Sequence, residues 1–268
     1  MPIITISRGS YSRGKEIAEK VANRLGHECI ARETLLEASE QYNIPEAKLV
    51  RAVHDAPSVI DRILYGKEKY VAYIQAALVR HVHQDNVVYH GLAGHFLLKG
   101  ISHVLKVRII AELEDRIAVV MERDSVNRKE ALRVLANDDE ERRKWSKHLY
   151  GIDTSDPSLY DMVLHIMKIS VDDAVDIIDH AARLKHFQKT AGSQKAIDDL
   201  LLASLVKAKL VDQRPNIEVS ADDGRAVVRT VGDLGEAKRL ADEMKQLAGD
   251  IPGLKDLRVD VIPATVYR

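Results

Sequence analysis

The segment GSYSRGKE, at residues 9–16, constrains the fold of this chain more than any other feature. It follows the phosphate-loop pattern G-x-x-x-x-G-K, but Glu16 stands where that pattern usually has Ser or Thr. A β-branched run precedes the loop at residues 3–7, and apolar residues recur at helical spacing over residues 16–25. The sequence therefore predicts a strand, a glycine loop and a helix, the context in which such a loop binds phosphate. On these residues alone, a ligand-free turn between strand and helix is the alternative interpretation.

The loop has the chemistry of a nucleotide phosphate site. Glycines allow several backbone N–H groups to face one anion, and the N-terminus of the following helix adds positive potential. Lys15 is predicted to reach the β and γ phosphates, and Arg8 adds a further positive charge. Glu16 either binds Mg²⁺ in place of the missing hydroxyl or is a favourable acid in the first helical turn. The predicted nucleotide-binding residues are Gly9, Ser10, Tyr11, Ser12, Arg13, Gly14, Lys15 and Glu16.

Strands and helices alternate through the N-terminal part of the chain. Strand-like runs occur at residues 86–89, 105–111 and 162–166, and helical segments separate them. This alternation predicts an α/β domain, residues 1–186, with a parallel sheet and crossover helices. The highly charged segment at residues 123–150 predicts two amphipathic helices.

The last part of the chain is predicted to be a separate, small α+β domain at residues 196–268. The polar segment FQKTAGSQK, residues 187–195, is predicted to be the linker before it. The domain is expected to contain a helix, a hairpin, a second helix and a final strand. The hairpin turn is predicted at residues 222–224, because an Asp-Gly pair between two alternating strands is a specific turn signal.

The composition of the chain limits the classes of partner it can have. Lys and Arg number 40 while Asp and Glu number 41, which leaves a formal net charge of -1. So balanced a charge gives no general attraction for nucleic acid or anionic lipid. No apolar stretch approaches the roughly 20 residues of a membrane-spanning helix, and no export signal precedes the first strand. We expect a cytoplasmic protein that binds a nucleotide and a small-molecule acceptor, without a nucleic-acid partner or membrane span, and compatible with a homo-oligomer.

The cysteine and histidine residues do not form a metal-binding pattern. Cys29 is the single cysteine, so it cannot form an internal disulfide, and its expected role is packing. The pair His81 and His83, and the separate His148, have no carboxylate or cysteine partner at ligand spacing. No transition-metal site is therefore predicted.

Several further segments follow one another in a characteristic order. They are ARETLLEASEQYNI at 31–44, VVYHGLAGHFLLKG at 87–100, VRIIAELEDRI at 107–117, YGIDTSDPSLYDMVLH at 150–165 and SVDDAVDII at 170–178. Together with the loop ending Gly14-Lys15-Glu16, they resemble the cytidylate kinase-like family, whose loop commonly ends Gly-Arg-Glu or Gly-Lys-Glu. The resemblance implies a P-loop kinase-like parallel sheet flanked by helices. It also implies transfer of the γ-phosphoryl group of ATP, with Mg²⁺, to a nucleoside monophosphate or another small acceptor.

The resemblance further implies roles for charged residues in a lid that closes over the phosphates. Arg116, Arg123 and Arg142 fall where the family has donor-site and lid arginines, and Arg116 is assigned to the ATP site. Asp139, three residues before Arg142, is expected to orient Arg142 or to accept a metal-bound water. The predicted catalytic residues are Lys15, Arg123, Asp139 and Arg142. The alternative interpretation is that these arginines pair with acidic neighbours on surface helices.

The acceptor segment departs from the family pattern. Cytidylate kinases have Asp-Gly-Arg-Asp here, whereas this chain has HGLAG at residues 90–94, with Leu92 in the position of the arginine. Because leucine cannot pair with a phosphate, the identity of the acceptor stays open. A nucleotide sensor that binds ATP but has lost acceptor chemistry is the alternative function. The predicted acceptor-binding residues are Arg32, His90 and Gly91.

The C-terminal segment has a helix, the strands of IEVSADDGRAVVRTVGD, a second helix and GLKDLRVDVIP. It resembles a BON module, whose Gly-x-Val-x-Leu-x-Gly-x-Val pattern is matched loosely by Gly224, Val227, Val231 and Gly232. The resemblance implies a regulatory ligand-binding or assembly role. A packing module without a ligand is the alternative interpretation.

Overall fold

A five-stranded parallel sheet organises the N-terminal part of the protein. The computed structural model describes residues 2–31, 37–38, 40–42, 66–91, 94–150 and 153–263. The strands are β1 (Ile3–Arg8), β2 (Glu28–Ile30), β3 (Val87–His90), β4 (Val104–Ala111) and β5 (Met162–Ile166). Their order is β2–β3–β1–β4–β5, and all neighbouring pairs are parallel. The predicted α/β architecture is therefore confirmed.

Helices cover both faces of this sheet. The described helices of the N-terminal part are α1 (Gly14–Leu25), α2 (Gly66–Val82), α3 (Gly94–Leu97), α4 (Leu113–Asp124), α5 (Arg128–Tyr150) and α6 (Val171–Ala182), of which α1, α2 and α6 pack on the sheet. Successive residues of β1 point to opposite faces, so Ile3 packs with Leu78 of α2, while Ile4 packs with Ile17 of α1 and Ile178 of α6. Burial on both faces is the usual state of a central parallel strand. Among the described residues, no helix has both the length and the apolar character that crossing a membrane requires.

Strand β2 is an element that the sequence analysis did not predict. It pairs with β3, with Cys29 opposite Val88, and Cys29 packs at the margin of the core beneath α1. A strand of three residues is too short to show the alternation by which strands are recognised in a sequence.

The charged segment forms one long helix where two were predicted. Helix α4 ends at Asp124, Ser125 turns the chain with a φ of 54°, and α5 then runs without a break to Tyr150. No Gly or Pro interrupts the residues of α5, which explains its continuity. The two helices pack together through an apolar cluster of Ile117, Val120, Ala131 and Leu135.

Helix α7 (Ala191–Leu210) begins earlier than predicted. Thr190 and Ser193 form a capping box at its start, so residues 191–195, predicted as linker, belong to the helix. The polar residues that suggested a linker therefore form the N-terminus of this helix. Ile197 packs in the core under β1, whereas Leu202 and Val206 pack in the C-terminal core. One helix therefore contributes to both cores.

The C-terminal part is a small α+β unit. Its sheet contains β6 (Glu218–Asp222), β7 (Arg225–Gly232) and β8 (Asp256–Pro263), and α8 (Ala237–Ala248) connects β7 to β8. Strands β6 and β7 are antiparallel, and β8 is parallel to β7. Asp223 and Gly224 form the turn with φ values of 47° and 84°, which confirms the predicted hairpin.

Candidate functional site

The loop between β1 and α1 has a constrained backbone. Tyr11 and Arg13 have φ values of 58° and 62°, in the left-handed region that residues with side chains rarely adopt. Gly14 has no space for a side chain, because a Cβ there would lie 2.7 Å from Arg8 Cβ. Left-handed backbone at a non-glycine residue costs about 1–2 kcal/mol. The loop therefore keeps its curvature at a measurable cost in stability.

Ser12 and Gly9 anchor the loop to the end of β4. The Gly9 N–H donates to Ile109 O at 2.9 Å, and Ser12 Oγ lies 3.0 Å from the carbonyl oxygens of both Gly9 and Ile109. Ser12, a predicted nucleotide-binding residue, thus has its hydroxyl engaged with the protein backbone. Ser10 Oγ is buried and has no hydrogen-bond partner among the described residues. A buried polar atom in that state marks Ser10 as the better candidate for a ligand contact.

The N-terminus of α1 presents free backbone donors at the loop. The first backbone hydrogen bond of the helix runs from Ile17 N–H to Arg13 O at 3.1 Å. The N–H groups of Gly14, Lys15 and Glu16 have no acceptor within the helix, as at any helix N-terminus, and no side chain caps them. Together with the helix dipole, these groups favour an anion at this end of α1.

Lys15 and Glu16 lie on the solvent side of this turn. Lys15 is 63% exposed, and its Nζ is 3.6 Å from Glu19 Oε1. Glu16 carboxylate oxygens lie 3.4 Å from Lys20 Nζ and 3.9 Å from an Arg13 guanidinium nitrogen. Exposed pairs of this kind contribute about 0–1 kcal/mol. Lys15 can therefore exchange Glu19 for a phosphate at little cost, and Glu16 has the surroundings of an exposed acid in a first helical turn.

Arg116 connects the loop to α5. Its Nε donates to Ser10 O at 2.7 Å, and its Nη2 donates to the two carboxylate oxygens of Asp139 at 2.8 and 2.7 Å. Asp139 is predicted to orient Arg142 or to accept a metal-bound water; its carboxylate pairs with Arg116 and not with Arg142, and the role toward a metal-bound water stays a prediction. Arg116 lies on α4 and Asp139 on α5, and the two side chains meet where these helices pack together. Arg116 therefore holds the loop in place through a backbone carbonyl.

Arg8, at the end of β1, and Arg142, on α5, lie in contact. Arg142 Nη1 donates to Arg8 O at 3.1 Å, and no carboxylate of the described residues lies within 4.0 Å of either guanidinium. Burial lowers the pKa of Arg8, and burial followed by the neighbouring Arg8 charge lowers the pKa of Arg142. Two partly buried, unpaired arginines in contact form a strong candidate site for an anion.

Arg123 has a partner on its own helix. Asp124 accepts hydrogen bonds from its Nε and Nη2, both at 2.6 Å, and this contact raises the pKa of Arg123. The guanidinium carbon also lies 4.5 Å from the centre of the Tyr11 ring. Burial and the adjacent Asp138 raise the pKa of Tyr11. Arg123 thus packs on the loop, and its catalytic role stays a prediction.

Two cavities flank the loop and meet at Arg8 and Arg142. The smaller cavity has a volume of about 230 Å³, the larger cavity about 670 Å³, and these two arginines line both. The smaller cavity also includes Ser7, Gly9, His95, Arg108, Arg116 and Asp139. The larger cavity also includes Ser10, Tyr11, Arg13, Lys15, Glu16 and Arg123. The structure therefore brings most of the predicted nucleotide-binding and lid residues to one place.

The smaller cavity contains a polar network that the sequence analysis missed. Arg108 Nη1 donates to Tyr160 Oη at 3.2 Å, and Tyr160 Oη lies 3.4 Å from His95 Nε2. Burial, aided by the nearby Arg108 charge, lowers the pKa of His95 to about 3, so this ring is neutral. The available signal was a positive charge inside the strand pattern VRIIA at residues 107–111.

The predicted acceptor residues are only partly accounted for. Arg32 and Leu92 lie outside the described residues. His90 ends β3 and is buried, and Gly91 packs against Tyr89, whose Oη would lie 2.7 Å from a Cβ at position 91. Neither His90 nor Gly91 lines either cavity. Their acceptor-binding role stays a prediction.

One group of carboxylates in the described part of the chain is close enough to share a cation. It contains Asp199, Asp222 and Asp223 in the C-terminal unit. The Lys195 ammonium already occupies their midst, 2.6 Å from Asp199 Oδ2 and 3.6 Å from Asp223 Oδ1. The cluster is therefore an internal ion-pair network.

Comparison with known proteins identifies relatives of the N-terminal part. Residues 3–168 match the model of the cytidylate kinase-like family. A protein named cytidylate kinase from Methanocaldococcus jannaschii is 34% identical over 100 residues, which cover 37% of this chain and 56% of that protein. One of the same name from Pyrobaculum aerophilum is 42% identical over 67 residues, or 25% of this chain and 36% of that protein. The chain thus spans about half, or less, of the length of these curated relatives.

A solved structure shares the fold. The crystal structure of an uncharacterized protein from Eubacterium ventriosum aligns with a TM-score of 0.53 at 21% identity. The alignment covers 68% of this chain and 98% of that chain. With its parallel sheet, flanking helices and phosphate loop between β1 and α1, the N-terminal part has the P-loop kinase-like α/β fold.

Proposed function

This chain belongs to the cytidylate kinase-like family, and on that basis we propose that it transfers the γ-phosphoryl group of ATP to a nucleoside monophosphate. The observation that carries the proposal is the meeting of two cavities at Arg8 and Arg142, neither of which has a carboxylate partner among the described residues. Phosphoryl transfer requires mainly positioning and stabilisation of charge on the transferring oxygens. Arginine is suited to this task because its planar fork binds two oxygens at once.

ATP phosphates are proposed to bind in the larger cavity, at the N-terminus of α1. The free N–H groups of Gly14, Lys15 and Glu16 support this assignment, as does the exposed ion pair of Lys15. Lys15 would leave Glu19 to hold the β and γ phosphates. Arg116 would act indirectly, by fixing the loop through Ser10 O.

The larger cavity also has the oxygen donors that Mg²⁺ prefers. Its carboxylates are Glu16, Glu19, Glu122 and Asp138. Lys15 would release Glu19 on binding the phosphates, whereas Glu16 pairs with Lys20, so Glu19, Glu122 and Asp138 are the carboxylates that would hold the ion. Mg²⁺ bound with ATP neutralises charge on the phosphate oxygens.

Substitution of Arg142 tests the proposed phosphoryl transfer most directly. We expect Arg142→Met to lower kcat by about 100-fold or more, because one preorganised donor to a developing oxyanion is worth about that factor. Arg142→Lys should recover little of the loss, since the ammonium lacks the fork. The assay follows ATP-dependent phosphorylation of CMP, UMP, AMP and GMP in turn.

Lys144→Met is the matched control for Arg142, because Lys144 lies on the same helix, is 51% exposed and pairs with Glu140 and Glu141. It should leave the rate close to that of the parent protein. A folded Arg142→Met protein with the parent kcat would contradict the assignment.

A nucleotide sensor is the second candidate, because Leu92 replaces the arginine of the acceptor segment. In this case the BON-like C-terminal unit would respond to nucleotide occupancy. Helix α7 offers a physical connection. His83, the residue after α2, contacts Asp198 of α7 at 2.7 Å, and Lys69 of α2 contacts Asp212, just beyond α7, at 3.2 Å. ATP binding without phosphorylation of any of the four monophosphates would favour the sensor.

A further inference from the structure

Arg108 occupies an interior position of β4, beside the central strand. Its Cα lies opposite Ser7 in β1 and Val163 in β5, and it is flanked by the buried residues Val107 and Ile109. Its guanidinium lines the smaller cavity and not the larger one. Ligands of open parallel sheets bind at the carboxyl ends of the strands, and Ser7 is the next-to-last residue of β1. Arg108 therefore faces the ligand edge of the sheet.

Arg108 differs from the other cation on its side of the strand. Lys106, two residues earlier, has its Nζ 3.4 Å from Asp161 Oδ1, whereas no carboxylate of the described residues lies within 4.0 Å of Arg108. The carboxylates of the smaller cavity are engaged elsewhere. Asp139 pairs with Arg116, and Asp153 accepts hydrogen bonds from Ser155. Asp153 interacts with Arg108 only at longer range, so among the described residues this half-buried guanidinium has no carboxylate in direct contact, and a bound anion would supply a counter-charge.

Tyr160 fixes the direction of the Arg108 side chain. Tyr160 Oη lies 3.0 Å from Thr154 O, which can only accept, so the tyrosine donates its single proton there. Its lone pairs are then available to Arg108 Nη1 at 3.2 Å, and the guanidinium carbon lies 5.5 Å from the ring centre. This arrangement uses one of the five N–H donors of Arg108. The others have no acceptor among the described residues.

The position of Arg108 relative to Lys15 indicates which phosphate it binds. Arg8 and Arg142 line both cavities, Lys15 lines only the larger, and Arg108 lines only the smaller. An anion bound to Arg108 would therefore lie in the smaller cavity, with Arg8 and Arg142 between it and the ATP phosphates of the larger cavity. Because Leu92 cannot pair with a phosphate, an acceptor needs another cation. Resting on the proposed transferase function, we infer that Arg108, positioned by Tyr160, binds the phosphate monoester of the acceptor.

Binding experiments test this subsite separately from catalysis. The full-length protein is titrated calorimetrically with CMP, with inorganic phosphate and with ATP, and the same titrations are made with Arg108→Met. The variant should bind CMP and phosphate roughly ten- to hundredfold more weakly, because it loses charged hydrogen bonds. Its affinity for ATP should stay at the parent value. Thermal melting verifies that the variant is folded.

Lys106→Met is the matched control, since it removes a cation from the same strand that already has an acidic partner. It should leave all three affinities unchanged. Parent-like binding of CMP and phosphate by a folded Arg108→Met protein would overturn the inference, as would a parent protein that binds neither probe. Loss of ATP binding in Lys15→Ala tests the proposed nucleotide site independently, so the two failures are distinguishable.

A double-variant experiment distinguishes a Tyr160 that positions Arg108 from a Tyr160 that only stabilises the fold. Tyr160→Phe should weaken CMP binding several-fold, and the double variant Arg108→Met/Tyr160→Phe should bind no more weakly than Arg108→Met alone. Additive losses, or a Tyr160→Phe protein with parent affinity, would show that Tyr160 does not act through Arg108.

Discussion

The phosphate loop and the C-terminal hairpin both require left-handed backbone, and they meet that requirement differently. The hairpin has Asp223 followed by Gly224, where a Cβ would lie 2.8 Å from Gly253 O. The loop instead has Tyr11 and Arg13 at positive φ, although glycine would be less strained at either position. The hairpin follows local rules, whereas the loop departs from them. Strain of this kind is retained where side chains are needed for function.

The cations of the two regions show the same contrast. In the C-terminal unit, ion pairs join Arg239 to Glu243, Arg258 to Asp260 and Lys209 to Asp250, at 2.9, 2.7 and 2.8 Å. Around the loop, Arg8, Arg108 and Arg142 have no carboxylate partner among the described residues. Paired surface cations contribute little to stability, and unpaired cations in a cavity are available to a ligand. The contrast between these particular cations supports the anion site that we propose at Arg8, Arg108 and Arg142.

Among the variants that test the difference between the loop and the C-terminal unit, we expect the largest effect from substitution of Lys15. Lys15→Ala should reduce ATP-dependent transfer by roughly 100- to 1,000-fold, as for loss of one charged contact to the reacting phosphates. Calorimetry should show much weaker ATP binding with an unchanged melting temperature, because the lysine is exposed. Lys238→Ala, in α8 of the C-terminal unit, is the control. An unchanged turnover in Lys15→Ala would contradict the proposal that the loop binds ATP and the C-terminal unit does not.

A second variant tests the local rule in the hairpin. Gly224→Ala should lower the free energy of unfolding by about 2 kcal/mol, because alanine is strained at positive φ and its Cβ meets Gly253 O. Gly192→Ala, in the first turn of α7, should instead gain about 0.4–1 kcal/mol, because its Cβ would meet Thr190 Oγ1 at an ordinary contact distance of 3.9 Å. Urea unfolding measures both. Equal effects of the two substitutions would mean that the turn is not constrained as described.

The smallest expected effect is at the strained loop itself. Arg13→Gly should raise the free energy of unfolding by about 0.5–1 kcal/mol. Glycine relieves the backbone strain at position 13, and the greater entropy that it gives the unfolded chain offsets part of this gain. The same replacement at Arg133, exposed within α5, should lose about 1 kcal/mol because glycine disfavours a helix interior. Loss of stability in Arg13→Gly would show that contacts of Arg13 outweigh its backbone strain.

Local sequence signals accounted for much of the fold. The strand, glycine loop and helix over residues 3–25, the parallel strands and the hairpin turn at Asp223 and Gly224 all follow from patterns within a few residues. The start of α7 was also encoded locally, in the capping pair Thr190 and Ser193, but polar composition obscured it. Strand β2 was too short to leave a pattern.

The candidate site depended on tertiary structure to a greater degree. The sequence determined that a glycine loop lies between β1 and α1, and it predicted phosphate binding there, because glycine spacing and helix periodicity are short-range properties. Only the folded chain decided that Asp139 pairs with Arg116, and that Arg8, Arg108 and Arg142 line one cavity with no carboxylate of the described residues within 4.0 Å. Charged side chains select partners by distance in space, and residues as far apart in sequence as Arg8 and Arg142 come into contact only when the sheet and helices assemble.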